Sequence, residues 1–260
     1  MRCKSAWECG AEYVDRMKRT EKLYRMHLEL FERPDRAMRA RLFIAHQLYA
    51  AENWAEAARE HETVVQTIGK AGKPEDLKMQ LESAYHAITA RAHLAGLAER
   101  PLELPEHAAI RERLMAFAAN KPLPAVPAAR KDPKLDELLA TVAMVEGRLA
   151  QPPQPEYLAQ LMGRAHHARH ELEQAETRLQ GLLDRAPQAL DTWGVTPLLL
   201  DCMVRSKEPQ RARALAGQLL EDSRLQWRAA GLVHWDQEPG KKLSKSWRPV
   251  LEALAAGAPR

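Results

Sequence analysis

The sequence predicts an all-α protein of about eleven helices, arranged as a helical-hairpin solenoid in two lobes. Three observations carry that prediction. Apolar residues recur at i, i+3, i+4 and i+7 along most of the chain, the spacing of one face of a helix. Aromatic residues make up only 5% of the 260 positions and Gly only 12, while Ala, Leu, Arg and Glu dominate, a usage that favours helix over sheet. One hairpin-like pattern occurs twice, 118 positions apart (162 − 44 = 118).

In chain order, a first helix starts at Ser5, which with Glu8 has the capping-box spacing. Trp7, Val14, Met17, Tyr24, Leu28 and Phe31 lie near heptad spacing along it, and Pro34 ends it. Asp35 opens a second helix towards Ala51; Asn53 and Glu56 cap a third, which Gly69 closes. Pro74 opens a long helix reaching Ala98, and Glu106–Ala119 is the next. Lys121–Pro133, KPLPAVPAARKDP, carries four prolines and reads as an extended linker. It divides an N-terminal lobe, 1–120, from a C-terminal lobe, 134–260. Asp132 and Pro133 start a helix towards Ala150, and Glu156–Pro187 holds two more. Helices near Asp191–Arg205, Pro209–Asp222 and Arg224–Trp235 follow, then a basic loop, Gly240–Ser246, and a short helix at Trp247–Ala256.

The densest information lies in Glu156–Pro187. Leu158, Leu161, Met162 and Ala165 make one apolar stripe, and Leu172, Ala175, Leu179, Leu182 and Leu183 make a second. Gly163 and Ala175 are small where the two helices must cross. Pro187 ends the second helix, because proline lacks the N–H and clashes with the preceding turn. Met38–Gly69 repeats the pattern: Ile44–Ala45, Trp54, Ala57, His61 and Val64–Val65 match Met162–Gly163, Leu172, Ala175, Leu179 and Leu182–Leu183. A third and poorer copy runs from Trp193 to Asp222, with Ala212 in the small position. These residues resemble the tetratricopeptide repeat family over about a third of the chain. Met38–Gly69 lacks the closing proline, and neither copy has the family's usual Tyr at Leu48 and His166.

The resemblance implies a scaffold in which the first helix of each pair lines a concave groove. Its groove positions fall on Arg39, Leu42, His46 and Tyr49 in the first copy, and on Tyr157, Gln160, Arg164 and His167 in the second. That basic and aromatic mixture suits an acidic partner segment with an apolar anchor. The expected function is a non-catalytic protein–protein interaction scaffold or adaptor, in a bacterial setting suggested by the Ala- and Arg-rich usage. The alternatives are a nucleic-acid-binding helical-repeat protein and a helical enzyme whose site only folding assembles. The first alternative draws on Lys241, Lys242, Lys245 and Arg248, with Trp235 and Trp247 close to the two ends of the run, since basic residues beside aromatics can bind phosphate and stack bases.

Other chemistry is sparse. There is no Gly-rich phosphate loop, no GxSxG elbow and no dinucleotide fingerprint, so neither catalysis nor a cofactor is expected. His166 and His170 have H-x3-H spacing, but no H-E-x-x-H arrangement accompanies them, so packing or surface roles are expected rather than a metal. His61 shares a stripe with Trp54, Ala57, Val64 and Ile68 and reads as a core or groove-edge residue. Cys3, Cys9 and Cys202 form no even set, which fits a reducing compartment. No stretch approaches the roughly 20 apolar residues of a membrane helix, and the first ten residues have no apolar signal core. A cytoplasmic location without membrane insertion is therefore expected. The net charge of +4 permits an acidic partner without requiring nucleic acid.

Overall fold

The structure, a computed structural model, describes residues 6–30, 34–68, 73–98, 106–185, 195–206, 209–221 and 247–257. Within them lie eleven helices and no strand, so the chain is all-α as its periodicity predicts. In order these are α1 (Ala6–Leu30), α2 (Pro34–Ala50), α3 (Trp54–Thr67), α4 (Pro74–Leu94), α5 (His107–Ala118) and α6 (Pro133–Arg148). They continue as α7 (Pro155–Ala168), α8 (Leu172–Arg185), α9 (Thr196–Arg205), α10 (Pro209–Glu221) and α11 (Arg248–Ala256). Pro74 occupies the first turn of α4 and Pro197 that of α9, where a missing N–H costs nothing. Ser5, Gly69, Pro187, Trp193, the Arg224–Trp235 segment and Gly240–Ser246 lie outside the described residues. None of the described helices is long and apolar enough to cross a membrane.

The chain divides into two compact units, residues 1–99 with 133–155, and residues 100–132 with 156–260. This is not the division the proline-rich segment suggests. Residues 121–132 are irregular, as expected, but they group with the second unit, where the Arg130 N–H donates to the Arg169 carbonyl at 2.8 Å. Helix α6 returns to the first unit because it packs on α4 and α3. Two carboxylates meet Arg91 at that junction, Glu62 of α3 and Glu137 of α6. Glu62 on α3 accepts two hydrogen bonds from Arg91 on α4, at 2.8 and 3.0 Å, and one from Thr141 on α6 at 2.6 Å. The forked pair fixes direction as well as distance.

Helix ends follow one chemistry. After α2 the N–H of Asn53 reaches the Leu48 carbonyl and that of Glu52 the Tyr49 carbonyl, with Glu52 at φ 58°. After α7 the N–H of Glu171 reaches His166 and that of His170 reaches His167, with His170 at φ 63°. Both are Schellman turns, which satisfy the last carbonyls of a helix through one left-handed residue. They stand at the repeat offset of 118 (170 − 52 = 118). The same bonds close α4 at Gly96 and α5 at Asn120. The expected Asn53 side-chain cap does not form. With a connection this short, Asn53 both closes α2 through its N–H and begins α3, and its backbone leaves the extended conformation that a capping side chain needs.

In the first unit Ile44, Leu48, Ala57, Ala58 and Ala90 form a core against which Tyr24, Leu28, Tyr49 and Trp54 pack. At the C-terminal end of α3, the buried Gln80 amide donates to the Val65 and Ile68 carbonyls, each at 3.0 Å. In the second unit Leu172, Ala175 and Cys202 cluster, and Trp247 is almost fully buried. Gly163 on α7 faces Leu179 on α8 so closely that an added Cβ would fall on the Leu179 side chain. The small residue there is what permits the helices to approach.

Candidate functional site

The expected groove residues have two different fates. In the first unit, Arg39 is three-quarters exposed, with Glu75 3.8 Å away and still more exposed. Leu42, His46 and Tyr49 are half-buried. In the second unit all four expected residues are buried: Tyr157, Gln160, Arg164 and His167. They present no open face. The Arg164 guanidinium has its pKa lowered by burial, against the opposing charge of Glu106. The sequence could not show this, because every position of α7 from Tyr157 to Ala165 is covered.

His167 is engaged in a buried ionic network. Its Nε2 lies 2.9 Å from Oδ2 of Asp201 on α9, which is fully buried. Arg113 on α5 donates to both Asp201 oxygens at 2.8 Å. Burial by itself raises the Asp201 pKa, but the hydrogen bonds from His167 and Arg113 outweigh it and leave the value at about 2. The carboxylate therefore stays ionised and ties α5, α7 and α9 together. His166 lies 2.8 Å from Glu171, so two of the three clustered histidines have carboxylate partners. Next to Asp201, burial and the adjacent carboxylate push the Cys202 thiol far up, which makes it an unreactive core residue rather than a nucleophile.

A second histidine cluster, in the first unit, was only half visible in sequence. His46 on α2, His61 on α3 and His86 on α4 form a near-equilateral triangle, with ring centroids 5.1 to 5.4 Å apart. Tyr49 meets the His86 ring edge-on at 4.6 Å and Trp54 at 5.0 Å. Glu82, one turn before His86, brings Oε1 to 3.5 Å from His46 Nε2, within ion-pair range but not aligned as a hydrogen bond. His61 is fully buried, and both of its ring nitrogens lack a hydrogen-bond partner. Burial, then the neighbouring His86 and His46, lower its pKa to about 3. Burial also lowers the pKa of His46 and of His86, with Glu82 opposing in both. The signal that could have found the cluster is E-x3-H at Glu82 and His86, an i, i+4 pair on one helix face.

Among the described residues, three of the six exposed large apolar side chains lie on α1. Leu23, Met26 and Leu30 are exposed at 65%, 45% and 70% and lie at i, i+3 and i+7. Beside them a shallow cleft of about 340 Å³ is lined by Leu23, Tyr24, His27, Arg39 and Ala40. Of the basic run near the C-terminus, Lys241, Lys242 and Lys245 lie outside the described residues, and Arg248 is paired with Glu252 at 2.8 Å.

The class these features define is an all-helical protein with an apolar, Arg-flanked cleft and a histidine-rich core. Comparison with known proteins found no matching family model, no significantly similar curated protein and no significantly similar solved structure.

Proposed function

We propose that this chain is a non-catalytic protein–protein interaction scaffold built from tetratricopeptide-like helical hairpins. Its partner is a protein segment with an apolar anchor and a carboxylate. The reading rests on one observation above all: three large apolar side chains exposed on a single stripe of α1, next to a cleft that carries Arg39. Scattered exposed leucines are ordinary, whereas a contiguous stripe rimmed by charge marks a contact surface. Arg39 adds the charge, because its pair with Glu75 is long and solvated and gives way at little cost. The paired Schellman turns at one repeat offset support the hairpin architecture. The docking surface in this proposal is the α1–α2 face and not a groove through Tyr157, Gln160, Arg164 and His167, which are buried.

The test is affinity recovery of partners from a bacterial lysate with the wild-type chain and with Leu23→Asp, Leu30→Asp and Arg39→Ala variants. Each should weaken capture of the same partner by about 1 kcal/mol or more, as anchor residues do, with unchanged helicity. Equal capture by all three variants would remove the α1–α2 face from consideration.

A further inference from the structure

We propose that His46, His86 and Glu82 form a binding site for a divalent transition-metal ion of the zinc type, independent of the proposed docking face. The three donors come from two helices that pack on the same neighbour: His46 from α2, Glu82 and His86 from α4. One ligand atom from each lies within 4.8 Å of the others. In a tetrahedral site with ligands about 2.0–2.1 Å from the ion, adjacent donors stand about 3.3 Å apart. His46 Nε2 and Glu82 Oε1 are 3.5 Å apart. That pair is therefore already near ligand spacing, and His86 offers its donor within 4.8 Å of both.

The polar bookkeeping points the same way. His46 Nε2, His86 Nδ1 and both nitrogens of His61 are buried atoms without a hydrogen-bond partner. Buried polar atoms in native proteins are nearly always satisfied, so four orphans in one triangle of rings call for a ligand. An ion bound by His46, His86 and Glu82 engages two of them directly. Two imidazoles and one carboxylate make a donor set of intermediate softness, suited to zinc or to iron(II) and unsuited to calcium or magnesium. The site is open on one side, since the His46 side chain is 36% and the Glu82 side chain 46% exposed. It is closed by His61 within the core. Three protein ligands with solvent access leave a fourth position for water.

Direct titration tests this, using tag-free protein stripped with chelator and zinc alone as the probe. Calorimetry of the wild type should show one equivalent bound, and zinc should raise the melting temperature. Glu82→Gln and His86→Ala should each weaken binding at least tenfold, because loss of even an outer partner of a metal ligand costs about 10–100-fold. Glu82 is nearly half exposed, so Glu82→Gln keeps the test decisive if His86→Ala does not fold. A double His166→Ala, His170→Ala variant should bind as the wild type does. Absence of a stoichiometric zinc site in the wild type, or binding unchanged in Glu82→Gln, would overturn the assignment. So would binding lost only in the His166, His170 variant.

Discussion

Replacing Asp201 should be the most damaging single change in the second unit, and its size can be worked out from the contacts. Oδ1 accepts from Arg113 Nε, while Oδ2 accepts from Arg113 Nη2 and pairs with His167 Nε2, all at 2.8–2.9 Å. The folded carboxylate titrates at about 2 against 3.8 when unperturbed. That depression is worth about 2–3 kcal/mol. Because the folded value is the lower one, this stability is fully present above the unfolded value and is lost as pH falls from about 4 through 2. Asp201→Asn keeps the shape but removes the charge and sets an amide donor against Arg113, so it should cost at least about 2 kcal/mol at pH 7. Asp201→Ala strands a partly buried guanidinium and a buried imidazole as well, and should cost about 3–5 kcal/mol. Urea unfolding followed by circular dichroism should show the midpoint falling in both variants with the slope unchanged. The gap between wild type and Asp201→Asn should stay constant from pH 7 to pH 5 and narrow only below pH 4. A cost under about 1 kcal/mol at pH 7 is what an exposed ion pair is worth, and would refute the claim that the network is buried and complete.

Two further outcomes follow from the packing and the histidines. Gly163→Ala should destabilise by about 1–3 kcal/mol, although alanine is the better helix former, because its Cβ meets Leu179; Gly217→Ala on α10, with nothing within 4 Å of its Cβ, should be neutral or stabilising. Both are read from urea midpoints. The first unit should lose stability as pH falls below the unfolded histidine value of 6.5, since the His61 pKa is held down at about 3 and the unfolded chain binds the proton first. The cost is about 1.4 kcal/mol per pH unit from that residue, until pH 3 is reached, and a midpoint flat between pH 7 and pH 5 would contradict it.

Most of the helices were legible because their boundaries are local events. Pro74, Pro133, Pro155 and Pro209 each open a helix, and the apolar spacing runs to its end. The hairpin match at an offset of 118 was legible for the same reason, since it depends on short-range order in residues such as Gly163 and Ala175. The composition of the compact units was not. Helix α6 joins the first unit through Glu62, Arg91 and Thr141, and Asp201 meets Arg113 across 88 positions of sequence. Spacing along one helix carries no information about such pairings. The burial of the second copy's groove positions was hidden for a related reason. A register says which side of a helix a residue is on, but burial depends on what else covers that side. Arg39 is exposed and Arg164 is covered at the same kind of position.

His61 and Leu179 occupy the same register, and the contrast between them yields a last test. Both side chains are fully buried, and their volumes are similar. Leucine leaves no polar atom unsatisfied, whereas His61 leaves two ring nitrogens without partners. A buried unsatisfied group costs about 1–3 kcal/mol, so His61→Leu should stabilise the metal-free protein by at least about 1 kcal/mol. It should also remove the His61 share of the acid sensitivity, which gives the variant a second and independent reading. Measured in the presence of chelator, a higher urea midpoint would identify the imidazole as a structural liability that packing alone does not explain. A midpoint lowered by 1 kcal/mol or more would mean that buried water or protein groups satisfy the ring. In that case the orphaned nitrogens would cease to support the metal site, which would then stand only on the spacing of His46, Glu82 and His86.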